Sequence, residues 1–222
     1  MSYQNRVDPF GRLHAIPARG AFMGNRGILH DAAKIIVRTH AHQNWVTCAL
    51  AFKGRRREIM QPGKYTELFF LDEATAFAAG HRPCAECRRA RYKEFTGFWQ
   101  NVHGEPETGR SVPRSIDRML HAHRVARGGR KVTFEAAVDD LPDGTIFAAG
   151  DRAALVWSGR QFDWSHHGYA ERSARISGSV SVLTPRPLLD CFATGFRPLV
   201  HQSCDADPAC AAASVFSWNP VD

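Results

Sequence analysis

Apolar and polar positions alternate most clearly along Trp45-Val46-Thr47-Cys48-Ala49-Leu50-Ala51-Phe52, a β-rich run that predicts a strand. A basic hairpin turn, Lys53-Gly54-Arg55-Arg56-Arg57, follows it. Glu58 to Met60 reads as the returning strand, Pro62-Gly63 as another turn, and Lys64 to Leu71 as a third strand. Asp72 is then placed as an N-cap for a helix over Glu73 to Ala79, with Gly80 as its C-terminal cap. A longer helix carrying Tyr92, Phe95, Phe98 and Trp99 comes next. Upstream, residues 1–26 read as an irregular arm. Gly27 to His30 reads as the start of a short strand and Asp31 to Thr39 as a brief helix.

Residues 103–112 are turn-rich and mark an internal boundary. Beyond them Ser115 is placed to cap a helix over Ile116 to Ala126, which the Gly128-Gly129 segment ends. Short strands broken by turns are expected from Val132 on, at Ala153 to Trp157 and Ser179 to Leu183. A short helix is expected from Leu188 to Ala193. The fold class is therefore α+β, with short strands in the second region. The tail, 204–222, reads as mobile.

The 222 residues suffice for one large domain or two small ones. With 29 Lys and Arg against 22 Asp and Glu the formal charge is +7, which points to a polyanionic partner, nucleic acid first. No run of about 18 apolar residues predicts a membrane span, and Met1 to Arg6 has no apolar core of a signal peptide. A cytoplasmic protein is expected, its six cysteines kept as thiols or metal ligands.

The densest chemistry lies in Gly80-His81-Arg82-Pro83-Cys84-Ala85-Glu86-Cys87-Arg88-Arg89. A Cys-x-x-Cys knuckle aims two sulfurs at one point and makes half of a tetrahedral Zn2+ site. Cys48 and His30 are the nearest candidates for the remaining ligands, and His81 is a rival. The stretch from Phe69-Phe70-Leu71-Asp72-Glu73 through Gly80-His81-Arg82-Pro83-Cys84-Ala85-Glu86-Cys87-Arg88 resembles the second half of the zinc domain of the Ada family of DNA-repair proteins. The resemblance covers about 20 residues and implies damaged DNA as partner. Upstream the pattern departs: two close cysteines are expected there, and this chain has Cys48 alone, with His30 in the missing place. That change counts against methyl transfer to a cysteine. On this reading residues 27–100 form the Ada-like zinc module and 113–203 the second α+β region.

Arg55, Arg56 and Arg57 on the hairpin tip and Arg82, Arg88 and Arg89 around the knuckle are the candidate phosphate contacts. Three residues are candidates for acid/base catalysis. Asp117 and His121 are four apart on one predicted helix face, and Glu67 is a carboxylate near the knuckle. Lys64 and Lys131 are possible Schiff-base amines that nothing in the sequence selects. The function expected is a zinc-containing DNA-binding repair protein that acts on damaged or unpaired DNA as a glycosylase, lyase or nuclease. The alternatives are a non-catalytic zinc-stabilised binder, and an enzyme whose zinc keeps an open position for a small substrate.

Overall fold

The computed structural model describes residues 2–55 and 58–204, so Arg56, Arg57 and the expected mobile tail beyond Cys204 lie outside the described residues. The first sheet joins β1 (Arg6–Val7), β2 (Leu13–His14), β3 (Phe22–Asn25), β4 (Val46–Cys48), β5 (Leu68–Phe70) and β6 (Arg82–Pro83). Its order is β2-β1-β5-β3-β4-β6. Residues 1–26, expected as an irregular arm, thus supply three strands. Val7 is in the core, and its neighbour Arg6 pairs with Phe69 in β5.

Four helices follow or separate the strands: α1 (Glu73–Ala78), α2 (Arg89–His103), α3 (Val112–Arg124) and α4 (Arg186–Ala193). The second sheet holds β7 (Phe134–Ala137), β8 (Ile146–Ala149), β9 (Arg152–Trp157), β10 (Arg160–Ser165), β11 (Gly168–Glu171) and β12 (Ser179–Val182), in the order β11-β10-β9-β8-β12-β7. The α+β class holds among the described residues.

Helix α1 is buried on every face, so it is enclosed by both halves of the chain. Asp72 caps it as expected, accepting from the Thr75 amide at 2.8 Å and from the Thr75 hydroxyl at 2.6 Å. Gly80 ends it at φ +89°, a conformation that favours glycine. One side of α1 (Ala74, Ala78), with Leu71 just before it, packs with Ile146, Leu155 and Phe162 of the second sheet. Phe77 packs with Phe95, Ile116, Leu120 and Phe192 of the other helices and with Phe196 just after α4. Both cores cross the 103–112 segment.

Several local expectations shift. The run from Trp45 to Phe52 narrows to β4, and Lys64 to Leu71 narrows to β5. Glu58 to Met60 forms no strand, and Met60 adopts φ +55° while its amide bonds to the Glu67 carboxylate. Asp31 to Thr39 forms no helix. The Asp31 carboxylate takes the amides of Ala33 and Ile35, and Lys34 turns to φ +62°, a turn stabilised by a side-chain acceptor. Helix α3 begins at Val112 rather than Ile116, because Pro113 suits a first helical turn and needs no amide partner there.

Candidate metal centre and its surroundings

Strand β6 runs parallel to β4 with Val46 opposite Arg82 and Thr47 opposite Pro83. The Cys84 amide extends that pairing to the Thr47 carbonyl at 2.9 Å. This pairing lays the knuckle alongside Cys48. The donor sulfurs of Cys48, Cys84 and Cys87 all lie within 4.8 Å of one another, and the three side chains are half-buried. Sulfurs on one tetrahedral zinc at about 2.3 Å would sit roughly 3.8 Å apart, so the donor set fits a metal ion with little movement. The three thiols lie in mutual hydrogen-bonding contact. Hydrogen bonds from Cys48 and then Cys87 hold Cys84 well below the usual thiol range, while the bond to Cys84 pushes Cys48 up. The Cys84 sulfur also accepts from the Glu86 amide at 3.4 Å. Metal capture requires the thiolate, and the lowering at Cys84 favours it.

His30 does not join the sulfurs. Its Nδ1 lies 2.6 Å from the Thr66 hydroxyl and its Nε2 3.3 Å from the Gln61 carbonyl, so both ring nitrogens are engaged inside the fold. His81, the rival, is fully buried and accepts at Nε2 from Arg26 at 3.2 Å. Burial, then Arg26 and Arg124, keep its imidazole neutral. Among the described residues the cysteine trio is the one cluster of metal-ligating side chains.

The arginines around the knuckle divide. Arg82 is buried and grips Asp117 with two parallel bonds, Nε to Oδ1 at 2.8 Å and Nη2 to Oδ2 at 2.7 Å. Arg88 is buried against Glu73 at 2.6 Å and lies over the Phe22 ring. Neither faces a phosphate backbone, because each is spent on an internal carboxylate. Arg55 and Arg89 are exposed, with Arg55 paired to exposed Glu86 at 2.6 Å. The exposed basic surface beside the sulfurs is therefore smaller than the sequence suggests.

The three candidate acid/base residues are not brought together. Asp117 gives both carboxylate oxygens to Arg82. Glu67 is buried just before β5, with Oε2 accepting from the Met60 amide at 2.8 Å. His121, half-buried, lies with its ring 5.4 Å from that of His40 and 6.4 Å from that of Trp45. Burial, Arg124 and His40 lower its pKa. Asp117 and Glu67 thus serve the fold rather than a solvent-facing reaction, and the helix face that carries Asp117 and His121 is shared between an ion pair and an aromatic cluster.

Two groups escape sequence reading. Glu73, at the start of α1, is buried and receives Arg88, Arg91 at 2.7 Å and the Leu199 amide at 3.0 Å, tying the helix to the chain's far end. Arg26, Arg124 and Lys131 converge on Trp45 and on the end of α1. Their spacing in the chain follows no period, so the sequence does not show that the three meet. Comparison with protein-family models, curated proteins and solved structures finds no match to this chain.

Proposed function

We propose that this chain is a zinc-holding, DNA-binding protein of Ada-like type that acts in DNA repair. The convergence of the Cys48, Cys84 and Cys87 sulfurs within 4.8 Å carries this reading. Zinc is the metal that three thiolates favour in a site built of strand and knuckle. Bound there, it would supply a fixed tether between β4 and the knuckle, and so hold Arg89 and Arg55 on the surface beside it. The capped helix, its glycine and the knuckle fold as one continuous unit, which supports the resemblance to the Ada zinc domain. The +7 charge supports a polyanionic partner. The repair chemistry of this reading is hydrolysis or elimination at a damaged or unpaired nucleotide. His121, half-buried where Glu67 and Asp117 are buried, is the sequence candidate left with access to solvent.

One observation favours a second reading. The described residues offer three sulfur donors and no fourth side chain, the ligand count of a zinc with an open position. Cobalt substitution separates the two, since the intensity of the sulfur-to-cobalt bands counts thiolates and the visible bands report coordination number. Function is tested on an end-labelled panel of single-stranded, duplex, abasic, deaminated and alkylated DNA, run with native and chelator-treated protein. Salt-sensitive retention lost on chelation supports the zinc-dependent DNA reading, and a new band restricted to one substrate adds the enzyme. DNA affinity absent at every salt concentration overturns it.

A further inference from the structure

Arg26, Arg124 and Lys131 line one small cleft of about 40 Å³, open to solvent, together with Phe10, Gly11 and Thr39. Arg26 leaves the end of β3, Arg124 ends α3, and Lys131 follows the Gly128-Gly129 turn. Val125 bridges to Lys131, so the two basic residues of this turn are held by backbone. Arg26 is 2% exposed and Arg124 1%, and both guanidinium groups lie over the Trp45 ring, 4.3 and 4.1 Å from its centroid. Lys131 is half-buried and turns its amino group inward to the Ala78 carbonyl.

Three cations this close need negative charge, and the protein gives them dipoles instead. Arg26 reaches the Gly11 carbonyl at 3.0 Å and the neutral His81 ring, and its buried Nη2 has no partner. Arg124 reaches the carbonyls of Gly80 at 2.7 Å and Gln43, and its buried Nε has none. The two carboxylates close enough to be felt are engaged elsewhere: Asp8 binds His14 at 2.9 Å and the Arg12 amide, and Asp117 binds Arg82. A buried charge without a counter-charge is costly, so the cleft is set up to be neutralised by a ligand. Burial and mutual repulsion with Arg26 and Arg124 also draw Lys131 down to about 7, which an arriving anion would reverse.

We propose that this cleft binds a phosphate-type oxyanion, held by Arg26, Arg124 and Lys131 over the Trp45 ring. A tetrahedral oxyanion carries the negative charge that these three groups lack, and a cleft with room for a few water molecules matches its size. Its source is either free phosphate or the terminal phosphate of a nucleic-acid strand. The proposal does not rest on the metal centre or on the DNA reading.

The test is calorimetric titration of the full, zinc-loaded chain with orthophosphate, with a 5′-phosphorylated oligonucleotide and with its 5′-hydroxyl twin, at constant ionic strength in chloride. One molecule of orthophosphate or of phosphorylated strand per chain is expected. Lys131→Met should weaken that binding by about tenfold or more, and Arg152→Met, exposed on the second sheet, should leave it unchanged. Circular dichroism and metal content check that the variants fold. Should Arg26→Met or Lys131→Met fail to fold, broadening of the phosphate 31P resonance by the wild-type chain, reversed by excess sulfate, serves instead. Tighter binding of the phosphorylated strand than of orthophosphate assigns the strand end, and the reverse assigns free phosphate. Binding no stronger than chloride, equal binding of the two strands without orthophosphate binding, or full affinity in folded Lys131→Met overturns the proposal.

Discussion

Replacing Asp117 by asparagine removes one charge from a pair that the fold shuts away from water. Arg82 and Asp117 are 4% and 3% exposed and meet through two bonds of 2.8 and 2.7 Å. Water does not screen such a pair, and Asp117→Asn leaves the Arg82 guanidinium buried beside a neutral amide. Breaking a buried pair from one side costs about 3–5 kcal/mol. That is a large share of the roughly 5–15 kcal/mol that stabilises a folded chain. With a urea m-value near the upper end of about 1–3 kcal/mol/M, the unfolding midpoint should fall by about 1–1.7 M. The assay is urea unfolding followed by tryptophan fluorescence, in saturating zinc. Arg82→Met alone should cost a similar amount, and Arg82→Met with Asp117→Leu should recover much of the loss, because no lone charge remains. Arg82 pairs with β4 two residues before Cys84, so the single variants should also release zinc at lower chelator concentration. A loss below about 1 kcal/mol in Asp117→Asn, with unchanged metal retention, would refute the structural role assigned to this pair.

Cys48→Ser should weaken zinc retention by more than the roughly 10–100-fold typical of outer-shell changes, read by competition with a colorimetric chelator. Lys131 is lowered from 10.5 to about 7 in the folded chain, so between those values the unfolded chain holds a proton that the folded one lacks. Stability should therefore rise with pH across that window. This group adds at most about 1.4 kcal/mol per pH unit, less for screening of a half-buried amine, and the difference between wild type and Lys131→Met isolates it. Saturating phosphate should flatten that slope. Gly80→Ala should cost about 1–3 kcal/mol in thermal unfolding. Its φ is +89°, and a Cβ there would lie 2.6 Å from Cδ and 2.8 Å from Cβ of Arg124.

The parts of this protein legible in its sequence are those whose cause is local. Asp72 caps α1 because the Thr75 amide is three residues away, Gly80 ends it because only glycine takes that φ readily, and Cys84 and Cys87 face one point because two residues separate them. Cys48 was reachable too, since a strand near a knuckle is a usual source of a third ligand. Tertiary structure decided the rest. Arg82 and Arg88 looked like phosphate contacts beside the knuckle, yet Asp117 and Glu73 arrive from 35 and 15 residues away and bury them. His30 looked like a fourth ligand until Thr66 and Gln61 closed on its ring. The first 26 residues lack the alternation of a strand, and they become strands because β5 and β4 offer edges that need backbone partners. The cleft over Trp45 is the extreme case. Its three cations come from the end of β3 and from the two sides of the turn after α3, and only packing creates the shortage of negative charge that makes them a site.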